Sequence, residues 1–158
     1  MRALVVYYTR SGTTKKAVGE LTKYVRADTY ELVDHKKRKG LFGWLRSGRD
    51  ATKKELTEID KPRNVPSRYP VVILATPNWA GSITPAMRTY IKEYLKGAKK
   101  LAFMVTQGGK GQEKILTELE EVTGQKPVAA VQLRSKDVKK QTDAFRNSLK
   151  GFVEKLAK

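Results

Sequence analysis

The chain has 158 residues, of which 39% are hydrophobic and none is cysteine. That length and apolar content suit a single folded domain, and the cysteine count excludes disulfides, thiolate metal sites and cysteine nucleophiles. With one histidine, His35, and 33 Lys and Arg against 16 Asp and Glu (formal charge +17), the chain lacks the residues for a histidine metal cluster or a Ser–His–Asp triad and attracts anions of every class.

Residues 2–8 open the chain with a short continuous apolar run, Ala3-Leu4-Val5-Val6-Tyr7-Tyr8, rich in β-branched and aromatic side chains. Such a run predicts a strand buried on both faces. It ends in Thr9-Arg10-Ser11-Gly12-Thr13-Thr14, after which Ala17, Val18, Leu21, Tyr24 and Val25 recur at helical spacing. Residues 29–33 form a second expected strand. Residues 71–75 form a third, followed by Thr76-Pro77-Asn78-Trp79-Ala80-Gly81 and a helix carrying Met87, Tyr90, Ile91, Tyr94 and Leu95. Residues 101–105 are the fourth, followed by Thr106-Gln107-Gly108-Gly109-Lys110-Gly111 and a helix with Ile115, Leu116, Leu119 and Val122. Residues 128–133 close the set. One last helix from about Ser135 carries Val138, Phe145, Leu149, Phe152, Val153 and Leu156 on a single stripe.

Strands alternating with helices predict a parallel sheet of five strands in a three-layer α/β sandwich, with the loops that follow the strands gathered on its carboxyl edge. The whole chain, 1–158, reads as one such domain. Residues 34–68 break the rhythm as an insert holding 11 basic and 5 acidic side chains. Within it Leu41, Leu45, Gly48 and Thr52 share one side of a short helix, and Arg46, Arg49 and Lys53 another. A connection this long in a compact domain tends to be functional. No apolar run reaches the roughly 18–20 residues of a membrane span, and the first apolar stretch is too short for a secretory signal. The expectation is a cytoplasmic protein.

Three loops carry the chemistry. In the first, hydroxyls, Gly12 and the start of a helix describe a phosphate cradle, although a plain helix cap uses the same residue types. It has neither the nucleoside-triphosphatase nor the dinucleotide glycine pattern, and a monophosphate suits it best. In the second, Trp79 just past a buried strand is placed either to stack on a flat ligand or to pack in the core. The third offers glycine backbone N–H groups, or a flexible turn.

Taken together, the three loops resemble those of the flavodoxin family. The carrying residues are Val5-Val6-Tyr7-Tyr8-Thr9-Arg10-Ser11-Gly12-Thr13-Thr14, then Thr76-Pro77-Asn78-Trp79-Ala80-Gly81, then Thr106-Gln107-Gly108-Gly109. The stretch from Lys39 through Gly40-Leu41-Phe42-Gly43-Trp44-Leu45-Arg46-Ser47-Gly48-Arg49-Asp50-Ala51 is similar to the insert of a short prokaryotic branch of it. The resemblance covers essentially the whole chain. It implies a flavodoxin-like fold with strand order 2-1-3-4-5 and non-covalent binding of flavin mononucleotide (FMN). Thr9, Arg10, Ser11, Gly12, Thr13 and Thr14 would hold the phosphate. Pro77, Asn78, Trp79, Ala80 and Gly81 would line the ring, while Thr106, Gln107, Gly108 and Gly109, with Gly111, would meet its pyrimidine edge.

The chain departs from the family at Val18, in the absence of an aromatic residue from the third loop, and in its basic charge. The second face of the flavin is then open, or covered by Trp44 or Phe42. Cations near the ring imply a less reducing flavin than in an acidic flavodoxin. The implied function is electron carriage to an acidic redox protein. The alternatives are an NAD(P)H:quinone-type oxidoreductase acting on a small quinone-like acceptor, or a non-redox adaptor. The basic run at residues 36–39 with Arg46, Arg49 and Lys53 also suits nucleic acid or an anionic membrane surface, though a solvated basic face is the plainer account. Glu118, Glu120 and Glu121 read as an exposed helical face, and Tyr7 and Tyr8 as strand packing.

Overall fold

A computed structural model describes residues 2–109 and 113–158. The apolar runs become β1 (Ala3–Tyr7), β3 (Val72–Pro77), β4 (Leu101–Gln107) and β5 (Ala129–Arg134), with β2 (Ala27–Glu31) on the edge. All pairings are parallel and the order is β2-β1-β3-β4-β5. Side chains alternate across the sheet as strand geometry requires. Leu4, Val6, Val72, Leu74, Phe103 and Val105 point to one face, and Ala3, Val5, Ile73, Ala75, Ala102 and Met104 to the other.

Helices cover both faces. Helices α3 (Pro85–Tyr94) and α4 (Lys114–Thr123) close the first through Met87, Tyr90, Ile115 and Leu119. Helices α1 (Thr13–Leu21), α5 (Ser135–Lys140) and α6 (Asp143–Leu156) close the second through Ala17, Leu21, Val138, Phe145, Leu149 and Phe152. Thr84 and Thr142 start α3 and α6 by accepting hydrogen bonds from the N–H groups of Met87 and Phe145.

Two elements differ from expectation. The second strand lies two residues earlier than residues 29–33, because its register is set by pairing with β1, Ala3 opposite Ala27 through Tyr7 opposite Glu31. The single last helix is two: Gln141 takes a left-handed conformation (φ 53°) between α5 and α6, which tips α6 onto the sheet. The insert is a closed excursion. Asp34 and Ile59 pair in an antiparallel bridge and the His35 N–H donates to the Glu58 carbonyl at 3.1 Å, so the chain leaves and returns at one place. Between them lies α2 (Gly40–Thr52). No helix among the described residues is long and apolar enough to cross a membrane.

Candidate functional site

Because β1, β3, β4 and β5 run in the same direction, the segments that follow them emerge on one edge. There they wall a cleft of about 620 Å³, within the size range of small-ligand sites. Helix α2 adds a further side, through Trp44, Leu45, Ser47 and Gly48. Arg10 and Lys139 line the cleft, and among the described residues no Asp or Glu does. The field inside therefore favours an anion.

One end is built by the β1–α1 turn. Gly12 holds φ 93°, a left-handed conformation that glycine adopts without strain. Its N–H donates to Thr9 Oγ1 at 3.0 Å, closing the loop. Helix geometry leaves the first-turn N–H groups of Thr13, Thr14 and Lys15 without intrahelical partners. No side chain caps them and no acid sits in that turn. The positive end of α1 thus faces the cleft beside the Thr9, Ser11 and Thr13 side chains, the arrangement that holds a phosphate. Thr14 is buried and its hydroxyl shares a 2.8 Å hydrogen bond with Thr106 Oγ1, tying this turn to the end of β4.

The other end is built by the turn after β3. Trp79 and Ser82 exchange two backbone hydrogen bonds of 3.0 Å around Ala80 (φ 53°) and Gly81 (φ 81°). Two consecutive positive φ angles make this a tight type I′ turn. Asn78 Oδ1 accepts from the Gly81 N–H at 2.8 Å, and its Nδ2 donates to Gln107 at 3.3 Å, joining the second loop to the third. From behind, Glu118 accepts hydrogen bonds from Ser82 Oγ at 2.7 Å, from the Ile83 N–H at 3.1 Å, and from Arg88. Burial pushes the Glu118 carboxyl up, but these donors outweigh it and hold it below the ordinary carboxylate value. Glu118 is therefore a buried anchor of the site loop, and not part of the exposed face expected from its spacing.

Trp79 is only 8% exposed and belongs to the core cluster, yet it lines the cleft. Tyr8 meets it edge-on at 5.4 Å, and the guanidinium groups of Arg10 and Arg38 lie 5.9 and 5.8 Å from its ring centre. Both readings of this residue hold in part: it is a core tryptophan whose surroundings are fixed, and a wall of the site. Burial, with Asp34 nearby, pushes the Tyr8 hydroxyl up to about 12, so it stays neutral. Burial and a hydrogen bond to Glu31 likewise raise Tyr7.

Arg38 links the site to the insert. It donates to Asp34 Oδ2 at 3.0 Å and to Asp50 Oδ2 at 2.6 Å, with all three side chains buried. Thr57 Oγ1 donates to Asp34 at 2.7 Å, and Lys36 and Arg49 reach Asp50 at 3.4 and 3.1 Å. Burial pushes Asp50 up, but hydrogen bonds from Arg38 and Arg49 and the charges of Arg38 and Lys36 dominate and hold it at about 2. Arg38 is thus no member of an exposed basic run; it is the internal counter-ion of the insert. His35 sits at the insert's exposed base, 2.7 Å from Asp60, whose hydrogen bond raises its pKa.

Of the residues singled out from the sequence, Thr9, Arg10, Ser11, Thr13 and Thr14 line the cleft from the first loop. Pro77, Asn78, Trp79 and Ala80 line it from the second, and Thr106, Gln107 and Gly108 from the third. Gly12 shapes the first loop from a shallower hollow beside it, and Gly81 is buried in the turn. Gly109 is exposed and does not line the cleft; Gly111 and Lys110 lie outside the described residues. Trp44 forms part of the wall, whereas Phe42 does not. Sequence reasoning missed Ser135 and Lys139, which close the cleft from the two ends of the short helix α5. The signal was the topology itself: the segment after β5 emerges on the same edge as the other three.

No protein-family profile and no curated protein matches the chain. Solved structures do. A flavoprotein from Lactobacillus acidophilus, in complex with FMN, aligns at TM-score 0.70 with 16% identity over 88% of this chain and 97% of that one. A flavodoxin from the domain Archaea aligns at 0.59 with 13% identity over all of both chains. An NADH:FMN oxidoreductase in its apo form aligns at 0.62 with 16% identity over 99% of this chain and 90% of that one. The protein has the flavodoxin-like fold, a five-stranded parallel α/β sandwich in the order expected from its sequence.

Proposed function

We propose that the protein binds FMN non-covalently in the carboxyl-edge cleft and carries electrons between protein partners. The observation that carries this is one continuous cleft with an uncapped helix N-terminus at one end, tryptophans at the other and no carboxylate among the described residues that line it. The residues present fit the group. Thr9, Ser11, Thr13 and the first turn of α1 would hold its phosphate. Asn78, Gln107 and the backbone at Gly108 supply donors and acceptors for the polar edge of its ring, and Trp79 and Trp44 supply apolar walls. Bound there, FMN would supply a ring that takes up and gives up electrons. The protein's part is to position that ring through the Trp79 turn, which Glu118 and Asn78 hold rigid, and to set the charge around it through Arg10 and Lys139. That charge favours the more negative, reduced form and makes the bound cofactor a weaker reductant than in acidic surroundings. An acidic redox protein fits the charge of the rim. The absence of a membrane-crossing helix among the described residues accords with a cytoplasmic setting.

The experiment is titration of the purified protein with FMN and with riboflavin, which lacks the phosphate. Visible absorption after desalting reports what is retained. FMN should bind at least about a hundredfold more tightly than riboflavin, a difference of about 2.8 kcal/mol. Ser11 is exposed, so Ser11→Glu should leave the fold intact, abolish that preference by repulsion, and spare riboflavin. Equal binding of both flavins, or none of either, would overturn the reading.

A second reading, a small NAD(P)H:quinone-type oxidoreductase, is favoured by one feature: Trp44 and Leu45 give the cleft an apolar mouth. Reduction of a soluble quinone by a nicotinamide donor, saturable in both, would select it over the carrier.

A further inference from the structure

The apolar side chains of α2 face the wrong way for a core helix. Leu41 is 70% exposed, Phe42 83%, Trp44 56% and Leu45 53%, all within the first two turns. The buried side is Gly43, Ser47, Asp50 and Ala51. The orientation is locked from below. Arg38 grips Asp50, and Gly43 packs so closely on the Arg38 backbone that a Cβ there would lie 2.5 Å from its carbonyl carbon. Around the apolar residues stand Lys37, Lys39, Arg46, Arg49 and Lys53, all exposed. From residue 35 to residue 54 the only acid is Asp50, and it is buried with its counter-ion.

We propose that this face of α2 is a docking site for an anionic phospholipid surface. Leu41 and Phe42 enter the boundary between headgroups and acyl chains, and the surrounding lysines and arginines pair with lipid phosphates. An exposed apolar face ringed by cations is the composition of a helix that lies in a bilayer interface, and each basic residue near an anionic leaflet adds attraction. The side chains protrude, so an occupant needs either a matching pocket for each or a medium that deforms around them; a bilayer provides the second. A second copy of the chain is disfavoured, since face-to-face contact would bring two sets of Lys37, Lys39, Arg46 and Arg49 together. Trp44 and Leu45 belong to both this face and the cleft mouth, so docking brings the cleft to the bilayer surface. The inference does not depend on what fills the cleft.

The test is sedimentation of the full chain with vesicles of phosphatidylcholine alone or mixed with phosphatidylglycerol. Tryptophan emission is followed in parallel; of the two tryptophans, Trp79 is buried and Trp44 exposed. The protein should bind the mixed vesicles with a blue shift of emission that Trp44→Phe removes, and bind the neutral ones at least about tenfold more weakly. The Leu41→Ser/Phe42→Ser variant should lose about tenfold or more in binding to mixed vesicles, with an unchanged thermal transition. Mixed-vesicle binding equal in the wild type and this variant would overturn the proposal, because adsorption by net charge alone explains it. So would a concentration-dependent dimer that the variant abolishes, or binding to polyglutamate with none to vesicles.

Discussion

Helices α2 and α6 are nearly the same length, 13 and 14 residues, and both carry apolar stripes, yet they bury opposite things. Helix α6 lays Phe145, Leu149, Phe152 and Leu156 against the sheet. Helix α2 turns Leu41, Phe42, Trp44 and Leu45 to solvent and buries Gly43, Ser47, Asp50 and Ala51. The difference lies in what anchors each helix. Apolar area removed from water holds α6, with nothing to compete. A buried guanidinium that must be paired holds α2: removing Arg38 or Asp50 would leave a charge uncompensated inside the protein, at about 3–5 kcal/mol, so the pairing fixes which side of the helix faces inward. Amphipathicity decides a helix's orientation only when no buried charge decides it first.

The largest effect expected from breaking this comparison is on the α6 side. Phe152 is 2% exposed among Val5, Ile73 and Leu149 of the second core cluster. Phe152→Ala should destabilise the whole domain by about 3–5 kcal/mol, read as a lower midpoint in urea with one cooperative transition.

Next comes the anchor of α2. Asp50→Ala leaves Arg38 with Asp34 alone, and Arg38 already has one buried nitrogen, Nη2, without a partner. The loss should be about 3 kcal/mol, but local: tryptic cleavage at Arg46, Arg49 and Lys53 should accelerate roughly a hundredfold while the urea midpoint moves far less than in Phe152→Ala. If both variants shift the global midpoint equally, α2 belongs to the cooperative core and the contrast fails. Acid should mimic this substitution. The pKa of Asp50 is depressed in the folded state, so its contribution is complete above the ordinary carboxylate value of about 3.9 and is lost as pH falls through about 2. Proteolysis with an acid-active protease should therefore show α2 opening in that window, and an opening centred near neutral pH would contradict the ion-pair account.

Smaller again is the effect of spacing. Gly43→Ala places its Cβ 2.7 Å from the Arg38 carbonyl oxygen, so backbone must move. Overpacking costs about 1–3 kcal/mol, against a helix-propensity gain of about 1 kcal/mol. A stabilised variant, measured by the same tryptic rate, would mean that the helix is not seated on Arg38.

The contrast also marks what the sequence makes legible. Strands buried on both faces announce themselves as unbroken apolar runs, so β1, β3 and β4 are found within two residues of their bounds; β5, the other edge strand and mostly half-buried, is found as closely from Val128-Ala129-Ala130-Val131 alone. Edge strand β2, half-buried with Thr29 exposed, has no such run, and pairing with β1 decides its register. The cleft is legible where loops are built of Thr, Ser, Gly, Asn and Pro. It is not legible at Ser135 and Lys139, which look like any helical surface residues. The Asp34–Arg38–Asp50 cluster has no periodic signature at all: its members come from a loop, another loop position and a helix, brought together only by the closed excursion of the insert. Glu118 misleads for the opposite reason, since its two glutamate neighbours are solvated and its own partner, Arg88, lies 30 residues away.

The smallest expected effect is the most telling. Leu41 and Phe42 touch little of their own chain, so Leu41→Ser and Phe42→Ser should each change stability by less than about 0.5 kcal/mol. The same substitution at Leu149, fully buried on α6, removes apolar contacts and buries a hydroxyl, costing several kcal/mol. A near-zero cost at two large apolar residues means that folding makes no use of them. A measured loss above 1 kcal/mol at Phe42 would show that α2 packs its apolar face against its own protein in solution, and the helix would join α6 as an ordinary core element.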